Sequence, residues 1–130
     1  MARSFEDVIR RFHSMPKTKF DIPEQLEAEW VRSAVAYYNL NIGTHITYDE
    51  LTLDFDSEVD EVVCNTLAEM VYASYLKREL SRVMALNGII GKDVQLTGQD
   101  ATKRVTKQEY DDQVAYVETL LTRQKTPAYG

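Results

Sequence analysis

Seven carboxylates stand between Asp49 and Glu61 (Asp49, Glu50, Asp54, Asp56, Glu58, Asp60 and Glu61), with no lysine, arginine or histidine among them. Acids at this density serve calcium binding, paired acid–base catalysis, or a negative surface. A calcium loop starting at Asp54 needs glycine at its sixth position and glutamate at its twelfth, to turn the chain and to close the coordination shell. Val59 and Asn65 occupy those positions, so a calcium loop is excluded. A catalytic pair needs polar neighbours that hold the two carboxyls in different protonation states, and no histidine lies in the segment. Solvated acids that complement a helix N-terminus are the simpler reading.

The other chemistry-bearing residues are isolated. Gly88-Ile-Ile-Gly91-Lys92-Asp93 has a superficial likeness to a phosphate loop, but that loop needs glycine at 86, Ser or Thr at 93 and a preceding strand. Leu86, Asp93 and a helical pattern stand there instead. His13 and His45 are far apart, and neither has a second ligand at metal spacing. Cys64 falls on the apolar side of a helical pattern, where it reads as a small buried hydrophobe. No local pattern suggests a Ser-His-Asp or Cys-His arrangement. The eight tyrosines and one tryptophan suit core and interface packing, because each gives a large apolar area with a polar tip. No catalytic residue, metal or cofactor is expected, and the chain reads as a binding protein and not an enzyme.

Composition narrows the partners. A length of 130 residues fits one domain with one core. A net charge of −6 argues against gripping a phosphate backbone, which requires a surplus of Lys and Arg. A single cysteine forms no intrachain disulfide, the opening residues lack an apolar leader, and no apolar run reaches the roughly 20 residues of a membrane span. These features point to a reducing cytoplasm and away from membranes.

The elements that would position these residues follow from period and caps. Ser4 before Phe5, Val8, Ile9 and Phe12, with Asp7 as the acidic capping partner, predicts a helix over about 4–15, which Pro16 ends. Asp21, Pro23 and Glu24 predict a second start, with Leu26, Trp30, Ala34, Tyr37 and Tyr38 as its buried face, closing at Asn39 to Gly43. Leu51, Leu53 and Phe55 alternate with polar residues, so 44–56 reads as an extended segment whose partner is either a hairpin strand in 42–48 or another subunit. Ser57 and Asp60 predict the start of a long helix to about 87, capped at Gly88; Tyr72, Tyr75 and Leu76 widen its apolar arc towards a subunit interface. The stretch 91–105 reads as a loop, and Thr106-Lys-Gln-Glu109 as the cap of a last helix to 123. Its stripe is Tyr110, Val114, Val117, Leu120 and Leu121, and a tail follows over 124–130. The expected fold is mainly α, a small single-domain helical bundle around one long central helix, with one short extended or β segment near 44–56.

This order of elements, with the stretches Phe20-Asp-Ile-Pro-Glu-Gln-Leu26 and Leu96-Thr-Gly-Gln-Asp-Ala-Thr102, resembles the head–tail connector proteins of tailed bacteriophages, also called adaptor or head-completion proteins. The resemblance covers most of the chain. It implies a homo-oligomeric ring of about twelve copies in the virion neck, made in the host bacterial cytoplasm. Such a ring sits between the portal protein and a stopper or tail protein, and DNA passes through it without sequence-specific binding. Within that picture Asp54, Asp56 and Glu58 would face the channel and keep DNA mobile. Thr126, Pro127, Ala128, Tyr129 and Gly130 would form a docking tail anchored by Tyr129. Connector proteins of this type are almost wholly helical, and the extended 44–56 segment departs from that pattern. The alternative reading is a small acidic modulator, an inhibitor or adaptor that binds a basic partner surface through the 49–61 acids.

Overall fold

The computed structural model describes residues 2–15, 22–90 and 97–125; within 86–90 and 97–102 only the course of the backbone is described. Among these residues lie four helices, α1 (Phe5–His13), α2 (Glu24–Ile42), α3 (Glu61–Ile90) and α4 (Thr97–Gln124), and two short strands, β1 (Ala2–Ser4) and β2 (Asp54–Val59). The chain is thus mainly helical, a small bundle with a two-stranded antiparallel sheet at one end.

The start of α1 follows its sequence signal. The Asp7 carboxylate accepts from the amides of Arg3 (2.8 Å) and Ser4 (3.3 Å), donors that a helix N-terminus otherwise leaves unsatisfied. α2 starts after Pro23, whose carbonyl accepts from Leu26 and Glu27. The expected start at Asp21 lies outside the described residues. α2 ends at Gly43 in the left-handed conformation that glycine adopts without steric cost (φ 85°). Its buried face is Ala28, Val31, Ala34, Val35 and Tyr38; Tyr37, expected on that face, is largely exposed.

The extended segment begins later than its alternation suggests. Asp49 organises a turn over 49–53: its carboxylate accepts from Leu51 and Thr52, and its carbonyl accepts from Leu53. Leu53 takes a left-handed conformation (φ 60°), and Leu51 is 93% exposed. The strand proper is Asp54–Val59, with Phe55 and Val59 facing the core. Its main partner is β1, in a register that pairs Ala2 with Val59 and Ser4 with Asp54 across an irregularity. The opposite edge is partly covered by the bridge of Phe55 to Tyr48 and by Asp56 donating to the Thr47 carbonyl. A hairpin partner in 42–48 therefore exists only at its end, and the N-terminal strand supplies the rest.

α3 is the central element. It starts at Glu61 with Asp60 as its cap, because Ser57 belongs to the strand; it runs through Gly88 to Ile90, beyond the cap expected there. α1 and α2 pack on its first half, where Leu67, Ala68 and Val71 are fully buried with Phe5, Val8, Phe12, Val31 and Val35. Phe12 centres an aromatic group, with Tyr75 at 5.9 Å, Trp30 at 6.2 Å edge-on and Tyr72 at 6.4 Å between ring centroids. α4 runs back along α3, burying Val117 and Leu121. It begins at Thr97, so most of the expected 91–105 loop is helix and the Thr106 capping pattern lies inside it.

Candidate functional site

The acidic run does not fold into one surface. Glu50 pairs with Arg32 (3.4 Å), Glu58 with Arg3 (3.1 Å) and Glu61 with Arg11 (3.0 Å), so bases from the N-terminal elements neutralise three of the seven acids. Asp49 is engaged in its own turn. Asp54, Asp56 and Asp60 are exposed and carry no ion pair among the described residues. Of the three acids expected to face a channel, the structure leaves Asp54 and Asp56 unpaired and ties Glu58 to Arg3.

Two concavities flank this sheet. A cleft of about 570 Å³ lies between α1, α2 and the 52–54 turn, and in its wall His13 meets the Glu27 carboxylate. Glu27 is only 4% exposed, and burying a carboxylate needs such a polar partner. A smaller cavity of about 270 Å³ contains His45 with Glu58 and Asp60. The two histidines thus lie in separate depressions, and among the described residues no cluster of three His, Cys, Asp or Glu side chains could hold a metal ion. Cys64 is buried, and burial pushes its thiol pKa up, so it keeps its proton and is a poor nucleophile.

The expected subunit interface at Tyr72, Tyr75 and Leu76 is corrected by burial. Tyr75 is 5% and Leu76 4% exposed within the single chain, with Phe12 of α1 against the Tyr75 ring; Tyr72 is half-buried and stacks on Tyr75 at 6.1 Å. The expected docking tail, Thr126 to Gly130, lies outside the described residues.

A polar chain that sequence reasoning missed ties three helices together. Tyr38 on α2 donates to the Gln124 side-chain carbonyl (2.6 Å), and the Gln124 amide donates to Thr66 of α3 (2.8 Å) and to the Leu120 carbonyl (3.1 Å). Thr66, fully buried, donates in turn to the Val62 carbonyl. Nearby, the Tyr37 hydroxyl donates to Glu118 (2.8 Å), and this bond raises its pKa.

The arrangement least explained by the chain's own needs is the far end of the α3–α4 hairpin. α3 runs fifteen residues past Tyr75, its last residue with a ring partner on α1, which is roughly 22 Å at 1.5 Å per residue. Over 77–85 only Val83 is buried, and over 103–108 no residue is. Met84 is 51% and Val105 57% exposed. The same stretch is basic: 77–108 holds seven bases and three acids, a net +4, which leaves the rest of the chain at −10 against the whole-chain −6.

No protein-family model, no curated protein and no solved structure matches the chain. Among the described residues no helix is long and apolar enough to cross a membrane.

Proposed function

We propose that the chain is a structural subunit that works by assembling with copies of itself and with neighbouring proteins, as a ring-forming connector between the portal and tail of a phage particle. The observation that carries this reading is the projecting α3–α4 arm. Two antiparallel helices alone bury only one stripe each, so an arm that leaves Met84 and Val105 exposed has apolar surface that a neighbouring subunit would cover. The pairing of Glu50, Glu58 and Glu61 within the chain neutralises three of the seven acids on which a modulator of a basic partner would depend.

The test is the mass of the assembly by native mass spectrometry, for the chain alone and mixed with portal protein. The expected result is a closed ring of about ten or more copies, as heterologous contacts around one axis produce. A chain that stays monomeric or dimeric and ignores the portal would overturn the proposal.

A further inference from the structure

The chain is electrically two-ended. At the N-terminal end of α3 stand Asp54, Asp56 and Asp60, exposed and without ion pairs among the described residues. Along the second half of the same helix stand Lys77, Arg78 and Arg82, and across from them on α4 Lys103, Arg104 and Lys107. Arg82 is paired with Glu79 and Lys107 with Asp111, whereas Lys77, Arg78, Lys103 and Arg104 have no ion pair among the described residues. The helix dipole favours bases only within the last turn, and Lys77 and Arg78 lie more than three turns from Ile90, so it does not account for them. Lys77 to Arg82 lie roughly 24–32 Å along α3 from its start at Glu61, too far for their side chains to reach the acids of the same chain.

Resting on the ring reading above, the geometry points to a specific subunit contact: the basic, partly apolar arm of one copy docks on the acidic β2 edge of the next. The occupant of each surface is a second copy of this chain, because each carries the complement of the other's charge. A contact between two different surfaces is heterologous, and repeated around an axis it closes a ring, whereas a self-complementary patch would stop at a dimer. Met84 and Val105 supply the apolar centre of the contact, and the charges fix its direction.

Charge reversal tests both surfaces. One variant carries Lys103→Glu with Arg104→Glu, the other Asp54→Lys with Asp56→Lys; all four positions lie outside the core, and thermal melts would check that both variants fold. Sedimentation of the wild-type chain at about 0.05 M salt is expected to show self-association. This weakens at least tenfold at about 0.5 M, where screening shortens to roughly 4 Å. Each variant alone is expected to remain monomeric, and an equimolar mixture to reassemble, because the acidic arm of one then meets the basic strand of the other. Three results would overturn the contact: no association of the wild-type chain at low salt, association unchanged in both variants, or no reassembly on mixing. Loss of duplex-DNA retention by the arm variant with unchanged self-association would overturn it too, by making the arm a nucleic-acid surface. Rings that still form on portal protein with either variant would remove this contact and leave the connector reading intact.

Discussion

Gln124 is the last residue of α4 and the only described side chain that hydrogen-bonds both α2 and α3. Replacing it by alanine leaves the Tyr38 hydroxyl, on a residue 3% exposed, without its acceptor. A buried donor left unsatisfied costs about 1–3 kcal/mol, and losing the half-buried stem adds roughly 0.5 kcal/mol. Gln124→Ala should therefore destabilise the chain by about 2.5 kcal/mol. With an unfolding entropy near 2.1 cal/mol/K per residue, the 130-residue chain would melt roughly 9 °C lower. Tyr38→Phe removes the stranded donor instead, and its cost is smaller, about 1 kcal/mol, because Gln124 is half-exposed and water can replace the lost partner. The decisive quantity is the coupling. In the double variant the penalty of the unsatisfied hydroxyl disappears, so the two single costs should exceed the double by about 2 kcal/mol. The assay is urea unfolding followed through Trp30, the single tryptophan, which packs edge-on against Phe12. Costs that add to within about 0.3 kcal/mol would refute the argument that this chain of bonds joins the three helices.

The corrected strand position gives a contrast between neighbours: Leu51→Ser should shift stability by less than about 0.5 kcal/mol, while Phe55→Ala should cost about 3–5 kcal/mol, and equal effects in the same urea assay would contradict the 49–53 turn. Burial pushes the Cys64 thiol above its ordinary 9.0 and the Tyr38 phenol above 10.0, the latter helped by the nearby Asp60 charge. The unfolded chain then releases these protons first, so their contribution is intact below about pH 9 and is lost as pH rises towards the folded-state pKa values. Urea midpoints should accordingly fall as pH rises above about 9, and Cys64→Ala should flatten the early part of that fall.

The two helices with sharp stripes and caps, α1 and α2, were legible in the sequence because both the cap chemistry and the period come from neighbours in the chain. The first half of α4 was not, since it lies in the projecting arm, where none of residues 103–108 is buried. Thr106-Lys-Gln-Glu109 then imitated a start, as a capping pattern permits a helix to begin without preventing one from continuing. The alternation of Leu51, Leu53 and Phe55 is shared by a strand and by a turn feeding into one, and only the Asp49 side chain decides between them. A three-residue strand such as β1 carries no period at all, so the partner of β2 could not be seen. The same blindness applied to the acids: their neutralising partners Arg3, Arg11 and Arg32 are remote in sequence and come near only through the fold. The breadth of the α3 arc at Tyr75 and Leu76 was real, but both are buried within the single chain, Tyr75 against Phe12 of α1.

The pairing of Ala2 with Val59 also sets a timetable for synthesis. The two residues are 57 positions apart, so at translation rates of about 5–20 residues per second roughly 3–11 s pass before the second strand exists. During that interval Phe5, Val8 and Phe12 have only α2 to lie against, because the α3 surface that finally covers them is still unmade. The nascent chain must therefore carry an uncovered apolar helix pair away from the ribosome, and even once the sheet can close, that pair waits for α3 to be made before its packing is complete.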